Sequence, residues 1–496
     1  MGQIVSKDLN KNINILKTIL KDCDDIGYRT IKIGKNNKRE ACFVFSDGLI
    51  DKSLLSEYAI QLLLTISDDS TDLNLNSTEL DKIAKESIAI PEVKEEEDLD
   101  KIVDAILAGE TAFFVDKANK ALLLSSRGWP TRGVGEPDTE TVVRGPRDGF
   151  SETLKLNTTL VRRRIRDPKL KIKNMQIGRR SKTDIAIMYI EDIASLDILK
   201  EVNRRLDKVD IDAIIDSSML EFLIEDNYLS PFPQIENTER PDTLAASLCE
   251  GRIGIIVDNS PFALIVPATI GTLSQSAEDY YSRWTITTII RWVRLIAAFL
   301  SLLAPALYIA ITSFHPGLIP TILTYYLGAS RVNVPFPAVI EAYLMELTIE
   351  LLREAGTRIA GPIGTTIGIV GGLIIGQAAV EAGIVSPLMI IIVAITTISS
   401  FSLPSYEWAS GFRFCRFILM ALAGTLGLYG IMLGIVILST HFARLESFGI
   451  PFSAPYSGLG IEEGDLKDTL VKAPIQNLEL RPIFTFPRNR RRIRKR

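Results

Sequence analysis

The sequence predicts a mosaic fold, in which an N-terminal soluble region of two tandem α/β subdomains precedes an all-α, multi-pass membrane domain. The mean hydropathy of +0.19 is high for a soluble protein, yet 23% of the residues are charged. Long uncharged runs begin only after about residue 287, and the residues before them contain an internal duplication. We therefore predict four regions, at residues 1–140, 141–284, 285–445 and, as a basic tail, 446–496.

Composition argues against several classes of function. The formal net charge of −4 disfavours a generally basic nucleic-acid-binding protein. Two histidines and four widely spaced cysteines, with no CxxC motif, leave little material for a metal site or a disulfide framework. The sequence also contains no GxxxxGK[ST] phosphate-binding loop. We expect a protein that is not an enzyme and that uses no cofactor.

The duplication is visible in two hairpin segments, which are GETAFFVDKANKALLL (109–124) and GRIGIIVDNSPFALIV (251–266). A single offset of about 142 residues superposes Asp116 on Asp258 and also places Phe43 on Ile185. Each copy opens with a β-rich strand, continues through helical stretches and closes with a hairpin. We interpret the two aspartates as turn residues rather than as a catalytic pair, since aspartate favours such turns.

An arginine-rich stretch follows the joint between the subdomains, which we place at residues 125–147. Ser151 is expected to cap a helix over residues 152–165. The basic residues considered for an interface with a partner subunit or anionic lipid are Arg144, Arg147, Arg162, Arg163 and Arg164. The same pattern also fits a solvated helix end, because arginines favour the negative end of the helix dipole.

Four apolar segments are candidates for membrane crossings. They are Leu295–Phe314, Ile363–Val385, Leu388–Leu403 and Phe417–Thr440, of which the third is short. A further apolar stretch at residues 338–352 carries three carboxylates, which are costly in lipid, so we interpret it as a re-entrant, interfacial or pore-facing helix.

The topology follows from the basic residues that flank these segments. Arginines precede the first segment and the chain ends RPIFTFPRNRRRIRKR, which places both ends in the cytoplasm and favours an even number of crossings, four. Arg413 and Arg416 then lie on the outer side, and a fifth crossing at residues 338–355 would avoid this but export the basic tail. The polar first 30 residues predict no signal peptide.

Glycines recur every four residues in the second apolar segment, at Gly364, Gly368, Gly372 and Gly376. This spacing puts them on one helix face, where another helix can approach closely. The face is therefore a candidate for packing between subunits around a pore, or for packing within one subunit. Gln377 and Glu381 continue near it and could line a polar path.

The helix at residues 338–358 carries a stripe of charges. Glu346, Glu350 and Arg353 share one helix face, and Glu341 precedes them. Charges at membrane depth should face protein or water, so these four residues are candidates for a pore lining or a gate. Buried pairing with a purely structural role is the alternative.

Several long segments resemble one protein family, in the order VVRGPRDGF (142–150), RRRIRDPKLK (162–171), EGRIGIIVDNSPFALIVP (250–267), FHPGLIPT (314–321), VPFPAVIEAYLMELTIELLREAG (334–356) and GIVGGLIIGQAAVEAGIVSP (368–387). On these motifs the chain resembles the GerA family of spore germination proteins, over residues 40 to 480 or so. The related stage V sporulation protein AF has the same architecture and is not separated by these motifs.

The resemblance implies a multi-pass protein of the inner spore membrane that responds to nutrients. It also implies homo-oligomers, contact with membrane lipids, a transporter-like B subunit and a lipoprotein C subunit as partners, and an ion-conducting assembly. Two other classes of function stay open on the residues alone. A secondary transporter would show inverted-topology repeats, whereas the repeat found here is in the soluble half. A scaffold would only organise its partners.

Overall fold

The computed structural model describes residues 3–33, 39–57, 92–128, 135–137, 139–358, 372, 374–456, 458–459 and 465–493. It separates into two compact units. The first unit comprises Met1–Glu225, Ile235–Pro267 and Glu479–Arg496, and the second comprises Asp226–Gln234 and Ala268–Leu478. The two α/β lobes thus form one unit together with the end of the basic tail, and the helical unit begins 17 residues before the predicted boundary at residue 285.

The first lobe is an antiparallel five-stranded sheet with the strand order β1-β2-β4-β5-β3. Its elements are α1 (Leu9–Ile19), β1 (Ile26–Ile33), β2 (Arg39–Ser46), α2 (Lys52–Leu55), β3 (Val93–Glu96), α3 (Leu99–Leu107), β4 (Thr111–Val115) and β5 (Ala121–Leu124). Apolar residues of α1 and α3, such as Leu16 and Ile102, pack on one face of the sheet. Phe43 and Phe113 pack together on the other face, with ring centroids 4.5 Å apart.

The second lobe repeats this arrangement with the strand order β6-β7-β9-β10-β8. Its elements are α4 (Leu154–Arg164), β6 (Leu170–Ile177), β7 (Thr183–Ile190), α5 (Leu196–Leu206), α6 (Ser217–Ile224), β8 (Glu236–Thr238), α7 (Pro241–Glu250), β9 (Ile253–Val257) and β10 (Ala263–Val266). Leu160 on α4 and Leu244 on α7 occupy the places of the α1 and α3 residues. The predicted tandem α/β architecture is confirmed.

The register of the two sheets corrects the offset of the repeat. In the first lobe Ala41 pairs with Val115, and in the second Ile185 pairs with Val257. The closing hairpins therefore match at 142 residues, but β2 and β7 match at 144, so Ile185 corresponds to Ala41 and not to Phe43. A shift of two residues keeps every side chain on its own face of the sheet, which is why the apolar pattern alone does not reveal it.

The two lobes also share the way in which their first helix begins. The Asn12 carboxamide accepts from the Ser6 N–H at 2.8 Å, and Asn157 accepts in the same way from Ser151. The predicted capping by Ser151 is therefore corrected, because α4 begins at Leu154 with Thr153 at its N-cap. The N–H of Leu154 instead donates to the carboxylate of Asp258, one of the two turn aspartates, at 2.9 Å.

A buried ion pair joins the lobes. Arg162 on α4 donates to both carboxylate oxygens of Asp25, at 2.8 and 3.0 Å, with side chains only 1% and 9% exposed. The same guanidinium donates to the Leu170 carbonyl, and the backbone of Asp24 donates to the Ile172 carbonyl. The pair is therefore part of a continuous seam between the two sheets.

Replacing Arg162 by Met should lower the free energy of unfolding of the first unit by about 3–5 kcal/mol, because it leaves the Asp25 carboxylate buried without a cation. Cys23 reports on this seam, since its Sγ lies 3.5 Å from the Leu170 carbonyl oxygen and burial raises the pKa of its thiol. The midpoint of urea unfolding can be measured by maleimide labelling of Cys23 across a urea series, in a chain whose other cysteines are replaced by alanine.

Arg163→Met is the control, because Arg163 lies on the same helix but is exposed. Adding Asp25→Ala to Arg162→Met should recover part of the loss. Equal midpoints for wild type and Arg162→Met would contradict the structural role of the pair.

The second unit is helical. Its elements are α8 (Ile270–Leu273), α9 (Trp284–Ser313), α10 (Thr321–Arg331), α11 (Ala338–Arg358), helical residues 374–381, α12 (Pro387–Phe401), α13 (Tyr406–Leu426), α14 (Leu428–Arg444) and a small hairpin of β11 (Glu446–Ser447) and β12 (Ile450–Pro451). Among the described residues, α9 and α13 are long and apolar enough to cross a membrane, and α12 and α14 are shorter apolar helices. One apolar core joins α9, α11, α12 and α13.

The predicted single crossing at Phe417–Thr440 is wrong, because the chain reverses within it. Gly427 has a φ of +61° and separates α13 from α14. The two helices pack against each other as a hairpin, in which Gly430 approaches the Leu422 carbonyl and Gly434 approaches the Leu419 side chain. The GxxxG pair of this segment thus allows close packing inside one chain.

Gly430→Ala should destabilise the helical unit, because the new Cβ would meet the backbone of Leu422. Gly328→Ala on α10 is the matched control, since a Cβ there meets no described atom within 4 Å. Replacing a helical glycine by alanine otherwise favours the helix by about 1 kcal/mol. Thermal aggregation of the detergent-solubilised protein should begin at a lower temperature in Gly430→Ala and not in Gly328→Ala. Equal onset temperatures would contradict the close packing of the hairpin.

Candidate charge-paired site in the helical unit

A buried ion pair lies between α11 and α13. Glu346 projects from α11 and Arg416 from α13, and their side chains are 0% and 1% exposed. Nη2 of Arg416 lies 2.9 Å from Oε2 of Glu346. Because an unpaired charge is very costly in such surroundings, the two helices hold each other through this contact.

Two further residues of α11 complete the cluster. Glu350 lies 3.0 Å from Arg353, one helical turn away, and its Oε1 is also 3.3 Å from Nη2 of Arg416. The Arg353 guanidinium lies over the Phe401 ring, 5.2 Å from its centroid. Two carboxylates thus face two guanidiniums. We call Glu346, Glu350, Arg353 and Arg416 the charge quartet.

The charge quartet is ion-paired but only partly hydrogen-bonded. Within the described part of the chain, neither carboxylate oxygen of Glu346 has a hydrogen-bond partner of normal geometry, and Nε of Arg416 has none either. Nε and Nη2 of Arg353 likewise have no hydrogen-bond partner among the described residues. A network with unused donors and acceptors can change its pairing without losing many bonds.

Glu341, the remaining acidic residue of the predicted set on this helix, has a separate role. Its fully buried carboxylate accepts from the N–H of Ser386 and lies 3.3 Å from Arg331 on α10. Ser386 is the N-cap of α12, and its hydroxyl is 3.1 Å from that of Tyr308 on α9. A carboxylate beside a helix N-terminus is favoured by the helix dipole, so Glu341 connects three helices.

The glycine face is only partly described. Gly364 and Gly368 lie outside the described residues. A Cβ on Gly372 would meet no described atom within 4 Å, and one on Gly376 would reach only Ile390, at 3.9 Å. Beyond them, the side chain of Gln377 donates to Glu381 at 2.9 Å.

The predicted basic surface is divided by the structure. Arg162 lies inside the first unit on Asp25, so it does not contribute to an external interface. Arg164 donates to both carboxylate oxygens of Asp148. Arg144, Arg147 and Arg163 are exposed, and Arg147 pairs with Glu136 at 3.3 Å.

Sequence reasoning missed the partners of the acidic stripe. It treats Arg416 only as a residue flanking a crossing, and it does not single out Arg331 or Ser386. One signal is available for Arg416, since an arginine within an apolar helix needs an acidic partner on another helix. Nothing in the sequence specifies which glutamate that partner is.

A part-buried carboxyl group, that of Glu140, lies in the joint of the first unit. The Glu140 carboxylate accepts from the Thr238 hydroxyl at 2.6 Å. Burial, together with the nearby carboxylates of Glu236 and Glu239, raises the pKa of Glu140 to about 7 against the lowering effects of the Thr238 hydroxyl and Arg240. This carboxyl group therefore titrates near neutral pH.

The free energy of unfolding of the first unit should fall as the pH rises from about 4.5 to about 7. In this window the folded chain keeps the Glu140 proton and the unfolded chain has released it, so alkali favours unfolding, by at most about 3 kcal/mol. Thermal unfolding at pH 5 and pH 8 measures the change. Glu140→Gln should remove this part of the pH dependence of stability, whereas Glu136→Gln, an exposed control in the same joint, should keep it. An unaltered pH dependence in Glu140→Gln would contradict the assignment.

These features define a class of protein, in which a duplicated α/β region precedes a helical membrane region with charges paired inside it. Comparison with known proteins gives the family. Residues 14–484 match the family described as Bacillus/Clostridium GerA spore germination protein. The chain belongs to the GerA family of spore germination proteins, a non-catalytic family of membrane proteins.

Individual relatives match over almost the whole chain. Spore germination protein KA of Bacillus subtilis (strain 168) is 42% identical over 482 residues, which cover 97% of this chain and 87% of that protein. Stage V sporulation protein AF of the same organism is 33% identical over 476 residues, covering 94% and 92%. The crystal structure of the N-terminal domain of the A subunit of the Bacillus megaterium spore germinant receptor GerK3 is 32% identical, with a TM-score of 0.43, and covers 54% of this chain and 98% of that one.

Proposed function

We propose that this chain is the A-type membrane subunit of a nutrient germinant receptor and that the charge quartet holds an ion path closed until nutrient is sensed. Several copies form the path, together with a transporter-like B subunit and a lipoprotein C subunit. The assembly lies in the inner spore membrane, with the α/β lobes and the basic tail in the cytoplasm. Membership of the GerA family supports the role in germination, and the charge quartet carries the gating part.

The position of Arg416 is the observation that supports gating. Its Nη2 is within ion-pair distance of both Glu346, at 2.9 Å, and Glu350, at 3.3 Å. A small relative movement of α11 and α13 can therefore transfer the guanidinium from one carboxylate to the other without leaving it unpaired. An element with two such arrangements is what a switch requires.

The exposure of the two carboxylates favours different roles for them. Glu346 is fully enclosed, whereas the side chain of Glu350 is 28% exposed. Glu350 is thus the member of the charge quartet that ions or water can reach when its arginine partners move away. Ionisable groups at this depth commonly mark ion paths.

The glycine face supports assembly from several copies. No described atom lies within 4 Å of a Cβ on Gly372, which leaves room for a helix of another subunit to approach its backbone closely. Side-chain branching at this position would hold that helix away. The glycine face and the charge quartet then perform different tasks, because one joins subunits and the other sets the state of the path.

Glu350→Gln should raise ion flux in the absence of nutrient about tenfold, which corresponds to a loss of about 1.4 kcal/mol from the closed arrangement. The variant removes the carboxylate that Arg353 and Arg416 share. The closed arrangement therefore loses more stabilising free energy than the arrangement in which the arginines have moved away from Glu350. The measurement is potassium efflux from liposomes that contain the complete receptor, without and with nutrient. Gly372→Leu in the same assay should abolish flux and reduce the mass of the assembly.

Glu354→Gln is the control for Glu350→Gln, since Glu354 is an exposed carboxylate one turn further along α11. Glu350→Asp keeps the charge and should keep the low flux of the resting receptor. A Glu350→Gln receptor that assembles normally and conducts no more than the wild type would contradict gating by the charge quartet. Wild-type receptor without any nutrient-dependent flux would instead indicate a scaffold.

A further inference from the structure

An apolar cavity in the helical unit lies away from the charge quartet. Its volume is about 390 Å³, and α9, α13 and α14 form most of its wall. The apolar lining includes Leu295, Ala298, Leu302, Trp408, Phe412 and Phe442. Tyr456 and Thr469, which follow the helices in the chain, add hydroxyl groups to the wall. The helical part of the wall is thus mostly apolar, and the segments outside the helices add polar groups.

The cavity begins at the level where α9 enters the membrane. α9 has 30 residues and is therefore about 45 Å long, whereas the hydrocarbon core is about 30 Å thick. Its first turns carry Trp284 and Trp292, both about half exposed, as is typical of the membrane–water interface. The lining residues of α9 run from Arg291 to Leu303, so the cavity extends from the headgroup level into the hydrocarbon.

Cations lie at the headgroup end of the cavity. Arg291 and Arg294 both line it, and both donate to Oδ2 of Asp279, at 3.2 and 2.8 Å. Lys472 donates to the carbonyl of Asp279, and Arg291 also contacts the Asp468 carboxylate at 3.4 Å. Among the described residues, the guanidiniums of Arg291 and Arg294 thus meet at one carboxylate, that of Asp279.

Arg294 has bonding capacity left for a ligand. Its Nη1 donates to Asp279, while its Nε and Nη2 have no hydrogen-bond partner in the described part of the chain. The same arginine lines the apolar cavity. An anionic group at its side would therefore meet both charge and unused donors.

We propose that this cavity binds one phospholipid with an anionic headgroup, its phosphate on Arg294 and one acyl chain between α9, α13 and α14. Asp279 orients the two arginines towards the headgroup. The combination of two guanidiniums at the interface, one of them with unused donors, with an apolar channel below them fits this ligand class. The site is independent of the charge quartet and of the gating role proposed for it.

Trp408 allows a direct test, because it lines the cavity and is only 3% exposed, so bulk lipid does not touch it freely. The full chain with Phe in place of Trp129, Trp284 and Trp292 contains Trp408 alone. It is reconstituted in phosphatidylcholine vesicles with increasing fractions of phospholipid brominated in the acyl chain, which quenches tryptophan on contact. Brominated phosphatidylglycerol should reach half-maximal quenching at a mole fraction about fivefold lower than brominated phosphatidylcholine, the preference expected for one arginine beside an anionic headgroup.

Variants separate the headgroup from the acyl chain. Arg294→Gln should bring phosphatidylglycerol to the level of phosphatidylcholine, and Arg294→Lys should keep most of the preference. Ala298→Phe fills the cavity and should prevent quenching by both lipids, whereas Ile296→Phe, on an exposed position of the same helix, should not. Circular dichroism of each variant verifies that the helices are retained.

Two results would overturn the proposal. Equal quenching by both lipids in the wild type would mean that the cavity takes acyl chains without recognising an anionic headgroup. Absence of quenching by either lipid, in a chain with native circular dichroism, would mean that the cavity is dry or covered by another copy of the protein.

Discussion

The cost of removing a guanidinium from water organises both units of this protein. Arg162, Arg240, Arg252 and Arg416 are among its largest fully buried side chains. Each is held by acceptors distant in sequence, since burial without such acceptors would cost several kcal/mol. Arg252 lies 2.7 Å from Glu236, and Arg240 donates to the carbonyl of Pro146. The arginines therefore select which segments must come together, as the apolar core by itself would not.

The duplication makes this dependence visible. Two lobes with the same strand order carry different residues at the places of the buried arginines. Each element of the second lobe can be aligned with its counterpart in the first. In this alignment Arg162, Arg240 and Arg252 correspond to Lys17, Asp98 and Glu110. For Arg162 the first lobe provides the acceptor, Asp25, and the second provides the cation, whereas Arg240 and Arg252 are held by acceptors outside the first lobe. Two copies of one fold have become complementary halves of a single unit.

The helical unit applies the same principle to the almost fully buried pair of Glu346 and Arg416. α11 and α13 are held by paired charges, whereas α13 and α14 are held by glycines that allow backbones to approach. The two contacts differ in what they permit. A glycine contact depends on close steric fit and tolerates little movement, while an ion pair with two available carboxylates keeps its energy over a range of positions. The proposed gating therefore relies on movement of α13 relative to α11 and not on movement of α13 relative to α14.

The sequence by itself determined the mosaic architecture, the duplication, the apolar helices and the family, because these depend on local hydropathy and on long motifs. It also marked Glu346, Glu350 and Arg353 as unusual, since charge in an apolar helix is visible without coordinates. Only the tertiary structure decided what each charge meets. It placed Arg162 on Asp25, Arg416 between two glutamates and Glu341 at the start of α12. It also turned one predicted crossing into a hairpin at Gly427. These outcomes depend on contacts between segments far apart in the chain, and periodicity and composition carry no information about which distant segments meet.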